Sequence, residues 1–282
     1  MPGAFNALTA MQIERAGFAA VYVSGAAVCA ARGIPDIGLL SLPEMVAEAR
    51  VIANAVSIPA IVDADTGYGP PLTVMRAIQE FEQAGLAGVQ LEDQELPKKC
   101  GHLDGKRLVS TKEMVEKIAA AVQARRNPAF VIIARTDARS VEGFDAAVAR
   151  AEAYAKAGAD ALFPEALTSA DDLRAFADAM RRAHMDLPLI ANMTEFGKSP
   201  YLSVEEFAAL GYRAVLFPVT TLRVASKAVD EVLAELKRIG SQREWLGHMQ
   251  TRQQLYDLLG YAEYVERDRR CHEHSDETRT QQ

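Results

Sequence analysis

Residues 155–166, AKAGADALFPEA, set a glycine between an alanine-rich amphipathic stretch and a short apolar run that closes on Glu165. Gly158 can take the left-handed backbone conformation that stops a helix and turns the chain into a strand. The same phrase recurs as ERAGFAA (14–20), EQAGLAG (82–88) and AALGYRA (208–214), with Gly17, Gly85 and Gly211 at the equivalent point. The chain is therefore built from a repeated helix-to-strand unit. Around these phrases lie eight strand candidates: a stub at 3–6, then 19–25, 59–65, 88–93, 130–137, 161–166, 188–193 and 214–219. Strands that are apolar throughout suit a parallel sheet covered by helices. Eight of them in 282 residues predict an α/β fold, a (β/α)8 TIM-type barrel with additional C-terminal helices. The expected divisions are a barrel over 1–222, oligomerising helices over 223–266 and a disordered polar tail over 267–282. The chain starts inside the first strand stub, so a shortened start and a weakened barrel seam are expected.

Composition narrows the function. A net charge of −7 without an extended basic patch gives no nucleic-acid partner. No apolar run is long enough for a membrane span, and the first residues, Met1-Pro2-Gly3, do not read as a signal peptide. Three cysteines, Cys29, Cys100 and Cys271, fit a reducing, cytoplasmic setting better than a disulfide framework.

In a barrel of this class, chemistry sits at the C-terminal ends of the strands. Those ends carry Ser24, Asp63 and Asp65, Glu92 and Asp93, Arg135 and Asp137, Glu165, and Asn192 with Thr194 just beyond, whereas the opposite ends are glycine, alanine, proline and hydrophobic residues. Asp63 and Asp65 are two apart and are expected to point to one side of their strand, with Glu92 on the next. Clustered carboxylates need a cation, and an all-oxygen set suits Mg2+, or Mn2+, better than zinc. The competing reading is a pair of aspartates capping helix N-termini. After the fourth strand, LPKKCGHLDGK (96–106) surrounds Cys100 with Lys98, Lys99 and His102, charges expected to favour the thiolate. Cys-Gly-His alone supplies too few ligands for a zinc finger. A solvated basic loop with an incidental cysteine stays open as the alternative.

KKCGH after LEDQ, with DADTGYG, ARTDA, FPEA and NMTEFGKSP, resembles the isocitrate lyase and phosphoenolpyruvate mutase superfamily, and within it the methylisocitrate lyase branch. The resemblance runs from about residue 3 to about residue 266. It implies a Mg2+-dependent retro-aldol cleavage of 2-methylisocitrate to pyruvate and succinate in the methylcitrate cycle of propionate breakdown, with isocitrate or a 2,3-dimethylmalate-like acid as the alternative substrate. By that resemblance Asp63, Asp65 and Glu92 hold the metal, and Cys100 protonates the succinate carbanion. Lys98 and His102 set its protonation state, and Tyr22 stands near the reacting centre. Ser24, Gly25, Ala26, Gly101, Arg135, Glu165, Asn192, Thr194 and Arg223 match substrate-binding positions for a di- or tricarboxylate, and Asp36 supports them from behind. Arg252 matches a residue contributed by the C-terminal helices, although a surface helix charge explains it equally well. The catalytic base stays open. Closure of the Cys100 loop is expected, with Gly101 and Gly105 as its hinges. Apolar positions in the C-terminal helices, such as Val229, Leu233 and Leu236, imply a homotetramer with exchanged helices.

Overall fold

The computed structural model describes residues 1–280. They form two compact units, the first ending at Val224 and the second starting at Ala225. In the first, strands and helices alternate: β1 (Gly3–Ala4), α1 (Ala7–Arg15), β2 (Val21–Val23), α2 (Gly25–Ala31), α3 (Leu42–Ala53), β3 (Ala60–Asp63), α4 (Pro71–Gln83), β4 (Gly88–Glu92) and α5 (Thr111–Ala124). The series continues through β5 (Val131–Thr136), α6 (Phe144–Lys156), β6 (Ala161–Pro164), α7 (Ala170–Arg182), β7 (Ile190–Asn192), α8 (Val204–Ala209), β8 (Ala214–Leu216) and the start of α9 (Thr220–Ile239). No described helix is long and apolar enough to cross a membrane.

The four repeated phrases end their helices as the glycines require. Gly17, Gly85, Gly158 and Gly211 have φ of 85°, 94°, 101° and 100°. In each case the next residue's N–H reaches back into the last helical turn, Phe18 to Ile13, Leu86 to Phe81, Ala159 to Tyr154 and Tyr212 to Phe207. The chain then enters a strand at once.

Strands β1 to β6 pair in parallel in sequence order, and β7 pairs with β8. Two seams close the ring into the (β/α)8 barrel, a bridge between Leu162 and Leu189 and another between Pro2 and Phe217. The expected weakness at the second seam is not found. Gly3 N–H donates to Phe217 O at 2.9 Å, Phe217 N–H to Met1 O at 3.0 Å, and the Met1 ammonium to Val215 O at 2.7 Å. Backbones approach so closely there that a Cβ on Gly3 would stand 1.9 Å from the Pro218 oxygen.

Alternation along the strands sorts side chains into two cores. Val62, Val89, Ile132 and Leu162 face outward and pack with Phe81, Tyr154 and Phe176 of the helices. Tyr22, Ile133, Ala161, Phe163, Ile190 and Leu216 face inward and fill the barrel. On β5 the inward series Val131, Ile133 continues upward to Arg135, so the apolar filling becomes polar at the C-terminal end of the same file of positions.

The second unit contains the rest of α9, a 3-10 segment (Arg243–His248), α10 (Arg252–Leu258) and α11 (Tyr261–Thr280). Its apolar residues Val229, Leu233, Leu246, Tyr264 and Val265 are exposed. α11 runs to Thr280, through a stretch whose polar composition reads as a disordered tail from residue 267. Pairs one turn apart, Arg267 with Glu263 and Arg270 with Glu266, support a helix that polar composition alone did not announce. The last two residues lie outside the described part.

Candidate active site

A cavity of about 160 Å³ opens at the C-terminal end of the barrel, lined among others by Tyr22, Ser24, Ala26, Asp36, Asp63, Glu92, Arg135, Glu165, Asn192, Thr194 and Arg223. Lys98, Cys100, Gly101 and His102 of the loop after β4 line it too. The inward phase of each strand selects these residues, since parallel register sets Glu92 beside Arg135 and Arg135 beside Phe163. Asp93 is one residue out of phase and faces α6 instead, where it accepts from Tyr154 and Thr136 and pairs with Arg150. It is a strand-end carboxylate outside the site.

Arg135 is the central cation. Asp137 takes Nε at 2.9 Å and Nη2 at 3.2 Å, Glu92 lies 3.3 Å from Nε, and Glu165 lies 3.3 Å from Nη1. Its guanidinium also stands 5.2 Å above the Phe163 ring. Burial disfavours its charge, but Asp137, Glu92 and Glu165 outweigh that and raise its pKa well above the ordinary value. Glu165 is a second hub, accepting from Asn192 Nδ2 at 2.9 Å and from the Ala166 N–H at 2.7 Å, with His102 Nε2 3.1 Å away. Burial pushes its carboxyl up, yet Arg135, His102 and Asn192 together hold it well below the usual carboxylate range.

The charges of this loop have carboxylate partners. Lys98 is not committed to the thiol: its ammonium, almost fully buried, bridges Asp36 at 2.5 Å and Asp65 at 2.7 Å. His102 likewise turns to Glu165, and its Nδ1 accepts the Lys198 N–H at 2.9 Å. Cys100 lines the cavity and is exposed, beside cations that serve carboxylates. Nor do Asp63 and Asp65 share one strand face, because β3 ends at Asp63 and Asp65 has a left-handed φ of 47°. Among the described residues no three carboxylate, histidine or cysteine groups converge as a ready metal cluster.

A hard cation nevertheless fits what is there. Burial leaves Glu92 Oε1 without a hydrogen-bond partner and raises the Glu92 carboxyl well above its ordinary value. Burial pushes Asp65 up to about 6 despite Lys98. Asp63 presents Oδ2 against Gly25, 2.9 Å from where a Cβ would stand. Mg2+ keeps several waters and needs only one or two direct carboxylates, so a loose acidic set in which a buried Glu92 oxygen has no hydrogen-bond partner suits it.

The remaining residues fall around this centre. Tyr22 donates to Gln90 Oε1 at 2.7 Å, and burial raises its hydroxyl pKa well above the ordinary value. Ser24 caps α2 by accepting the Ala27 N–H at 3.3 Å, which leaves its own hydrogen for a ligand. Gly101 is closely packed: a Cβ there would stand 2.4 Å from Arg135 Nη2 and from Glu165 Cγ. Gly105, at φ 74°, does adopt a glycine conformation. Arg223 is half exposed, 3.5 Å from Glu195 and stacked 5.3 Å from the Phe196 ring. Arg252 belongs to the second unit, where it is the exposed first residue of α10. Gln90, Glu195 and Lys106 were not singled out in the sequence. For Gln90, the inward phase of β4 was the available signal.

A family model described as phosphoenolpyruvate phosphomutase matches residues 1–237. The probable 2-methylisocitrate lyase 1 of Corynebacterium glutamicum is 54% identical over 94% of this chain and 85% of its own length. The 2-methylisocitrate lyase of Aeropyrum pernix is 50% identical over 95% and 84%. Among solved structures, a 2,3-dimethylmalate lyase superposes with a TM-score of 0.88 at 38% identity, covering 96% of this chain and 89% of that one. A phosphonopyruvate hydrolase complexed with oxalate and Mg2+ gives a TM-score of 0.85 at 33% identity, covering 94% and 91%.

Proposed function

The chain belongs to the phosphoenolpyruvate mutase/isocitrate lyase superfamily, and from that premise we propose that it is a lyase that cleaves 2-methylisocitrate to pyruvate and succinate. What supports the substrate most is 54% identity to a probable 2-methylisocitrate lyase along 94% of the chain. The cavity suits the chemistry, with a thiol beside a polar, cation-rich and carboxylate-rich pocket.

In the cleavage, a base takes the proton of the C2 hydroxyl and the C2–C3 bond breaks. C2 becomes the carbonyl of pyruvate, and the electron pair passes to C3 of the succinate half. Cys100 supplies the proton that C3 takes up. Arg135, Asn192, Thr194, Arg223, Ser24 and the Gly101 N–H bind the carboxylates. Glu165 keeps Arg135, His102 and Asn192 in mutual register, while Lys98 holds Asp65 and Asp36. Tyr22 faces the reacting centre from β2. Asp63, Asp65 and Glu92 would hold Mg2+, which when bound stabilises negative charge on the hydroxyl and carboxylate of the pyruvate half. The loop bearing Cys100 excludes bulk water from the carbanion.

The reading extends to a cytoplasmic enzyme of the methylcitrate cycle in propionate breakdown. The exposed apolar residues of α9 to α11 are read as the interface of a homotetramer with exchanged helices, and sedimentation at the tetramer mass tests that. For the activity, the test is incubation with 2-methylisocitrate and Mg2+. Equimolar pyruvate and succinate, abolished by EDTA, are expected; an intact substrate would overturn the assignment.

A further inference from the structure

Lys106 ends the loop that carries Cys100, and nothing in the reaction above uses it. Its side chain is 1% exposed, with the ammonium 2.7 Å from Asp137 Oδ1. The same nitrogen donates to the Gly101 carbonyl, next to the thiol residue. Asp137 is itself fully buried and holds Arg135 with two hydrogen bonds, at 2.9 and 3.2 Å. Gly101 in turn packs directly on Arg135 and Glu165. One ammonium thus joins the loop backbone to the carboxylate that orients the central arginine.

A buried ammonium is tolerated only when paired and hydrogen-bonded, and here each partner belongs to a different part of the site. Asp104 and Lys198 also tether this loop, at 2.5 Å, but both are exposed, and such pairs hold little. Within the loop, Leu103 N–H donates to Cys100 O at 2.9 Å and Lys99 N–H to Gln94 Oε1 at 2.9 Å, so its backbone has protected amides that report its order.

We infer that Lys106 is a positioning residue: it pins the backbone beside Cys100 to the Asp137–Arg135 floor, so that the thiol is held at a fixed place over the cavity. The kinetic part of this inference rests on the lyase reading; the pin does not.

The experiment is Lys106→Met in the full chain, read two ways. Hydrogen exchange of the peptide spanning 96–105 is expected to quicken at least tenfold while peptides from β6 and α7 stay within twofold of the parent. With 2-methylisocitrate and Mg2+, kcat is expected to fall at least tenfold with KM within about threefold, and Lys106→Gln, which keeps a donor for the Gly101 carbonyl, recovers part of the loss. Unchanged exchange in the loop overturns the pin, and so does exchange that rises equally everywhere, which marks general destabilisation. If the parent protein cleaves no 2-methylisocitrate, the lyase reading falls while the exchange result still decides the pin. Should Lys106→Met not fold, Lys106→Ala, which also removes the donor, is read by the same exchange criterion.

Discussion

Residues 96–106, after β4, and residues 193–203, after β7, both supply side chains to the cavity, and they are held in different ways. The first is anchored from beneath by buried charge, Lys98 on Asp36 and Asp65, Lys106 on Asp137, and Gly101 against Arg135 and Glu165. The second has no buried ion pair of this kind among the described residues; Ser199 Oγ donates to the Leu167 carbonyl at 2.7 Å and Thr220 Oγ1 to Glu195, both only partly buried. Phe196 is 84% exposed, and Lys198 pairs with an Asp104 that is 91% exposed. They meet where the Lys198 N–H donates to His102 Nδ1 at 2.9 Å. The difference teaches where to look for function. Stripping one partner from a buried ion pair costs about 3–5 kcal/mol, whereas an exposed pair contributes about 0–1 kcal/mol. The thiol is carried by the loop whose position the barrel dictates.

Four perturbations would break or sharpen this contrast. Cys100→Ser should lower kcat by about 10³-fold, because a hydroxyl is a far weaker acid than a thiol, while folding and Mg2+ binding persist. Near-normal turnover in that variant would remove the thiol from the mechanism. Gly101→Ala drives a methyl into Arg135 and Glu165, so the loop must lift. A fall in kcat/KM of about 100-fold, near 2.7 kcal/mol, is expected, and a crystal structure should show the loop displaced.

A smaller effect concerns pH and the metal. With Asp65 pushed up to about 6, a proton competes with the cation below that value. Calorimetry should find Mg2+ binding about tenfold weaker at pH 5 than at pH 7.5, with proton release on binding. For the metal-free protein the sign is the reverse of the usual carboxylate: the folded state keeps a proton that the unfolded chain has lost. This group's contribution to stability therefore falls as pH rises from about 4 to about 6. Smallest of all, Asp104→Ala should change kcat less than about twofold, since it removes only an exposed tether. A large loss there would mean that the two loops act as one unit.

The barrel was legible because its signals are local. A helix-stopping glycine phrase, repeated four times, and wholly apolar strands can each be read within a dozen residues. The inward file of Asp63, Glu92, Arg135, Glu165 and Asn192 was legible for the same reason, since strand phase is set by alternation. Asp65 was misplaced because the strand stops two residues before it and its backbone turns left-handed. Lys98 was assigned to its sequence neighbour Cys100, although its partners, Asp36 and Asp65, are distant in sequence and only folding brings them together. Lys106 stood in plain view at the end of the loop, but nothing local marks a lysine whose ammonium will be buried on Asp137. The helix reaching Thr280 ran against a polar composition that carries no apolar face to read.

The central claim is that this barrel cleaves 2-methylisocitrate in preference to its near relatives. The most direct test compares kcat/KM for 2-methylisocitrate, isocitrate and 2,3-dimethylmalate with Mg2+ present, identifying the oxo-acid released. A missing methyl group is worth about 10- to 200-fold in a fitted apolar pocket, so 2-methylisocitrate should lead isocitrate by at least about tenfold and yield pyruvate. Equal or faster cleavage of isocitrate to glyoxylate, or of 2,3-dimethylmalate, would contradict it.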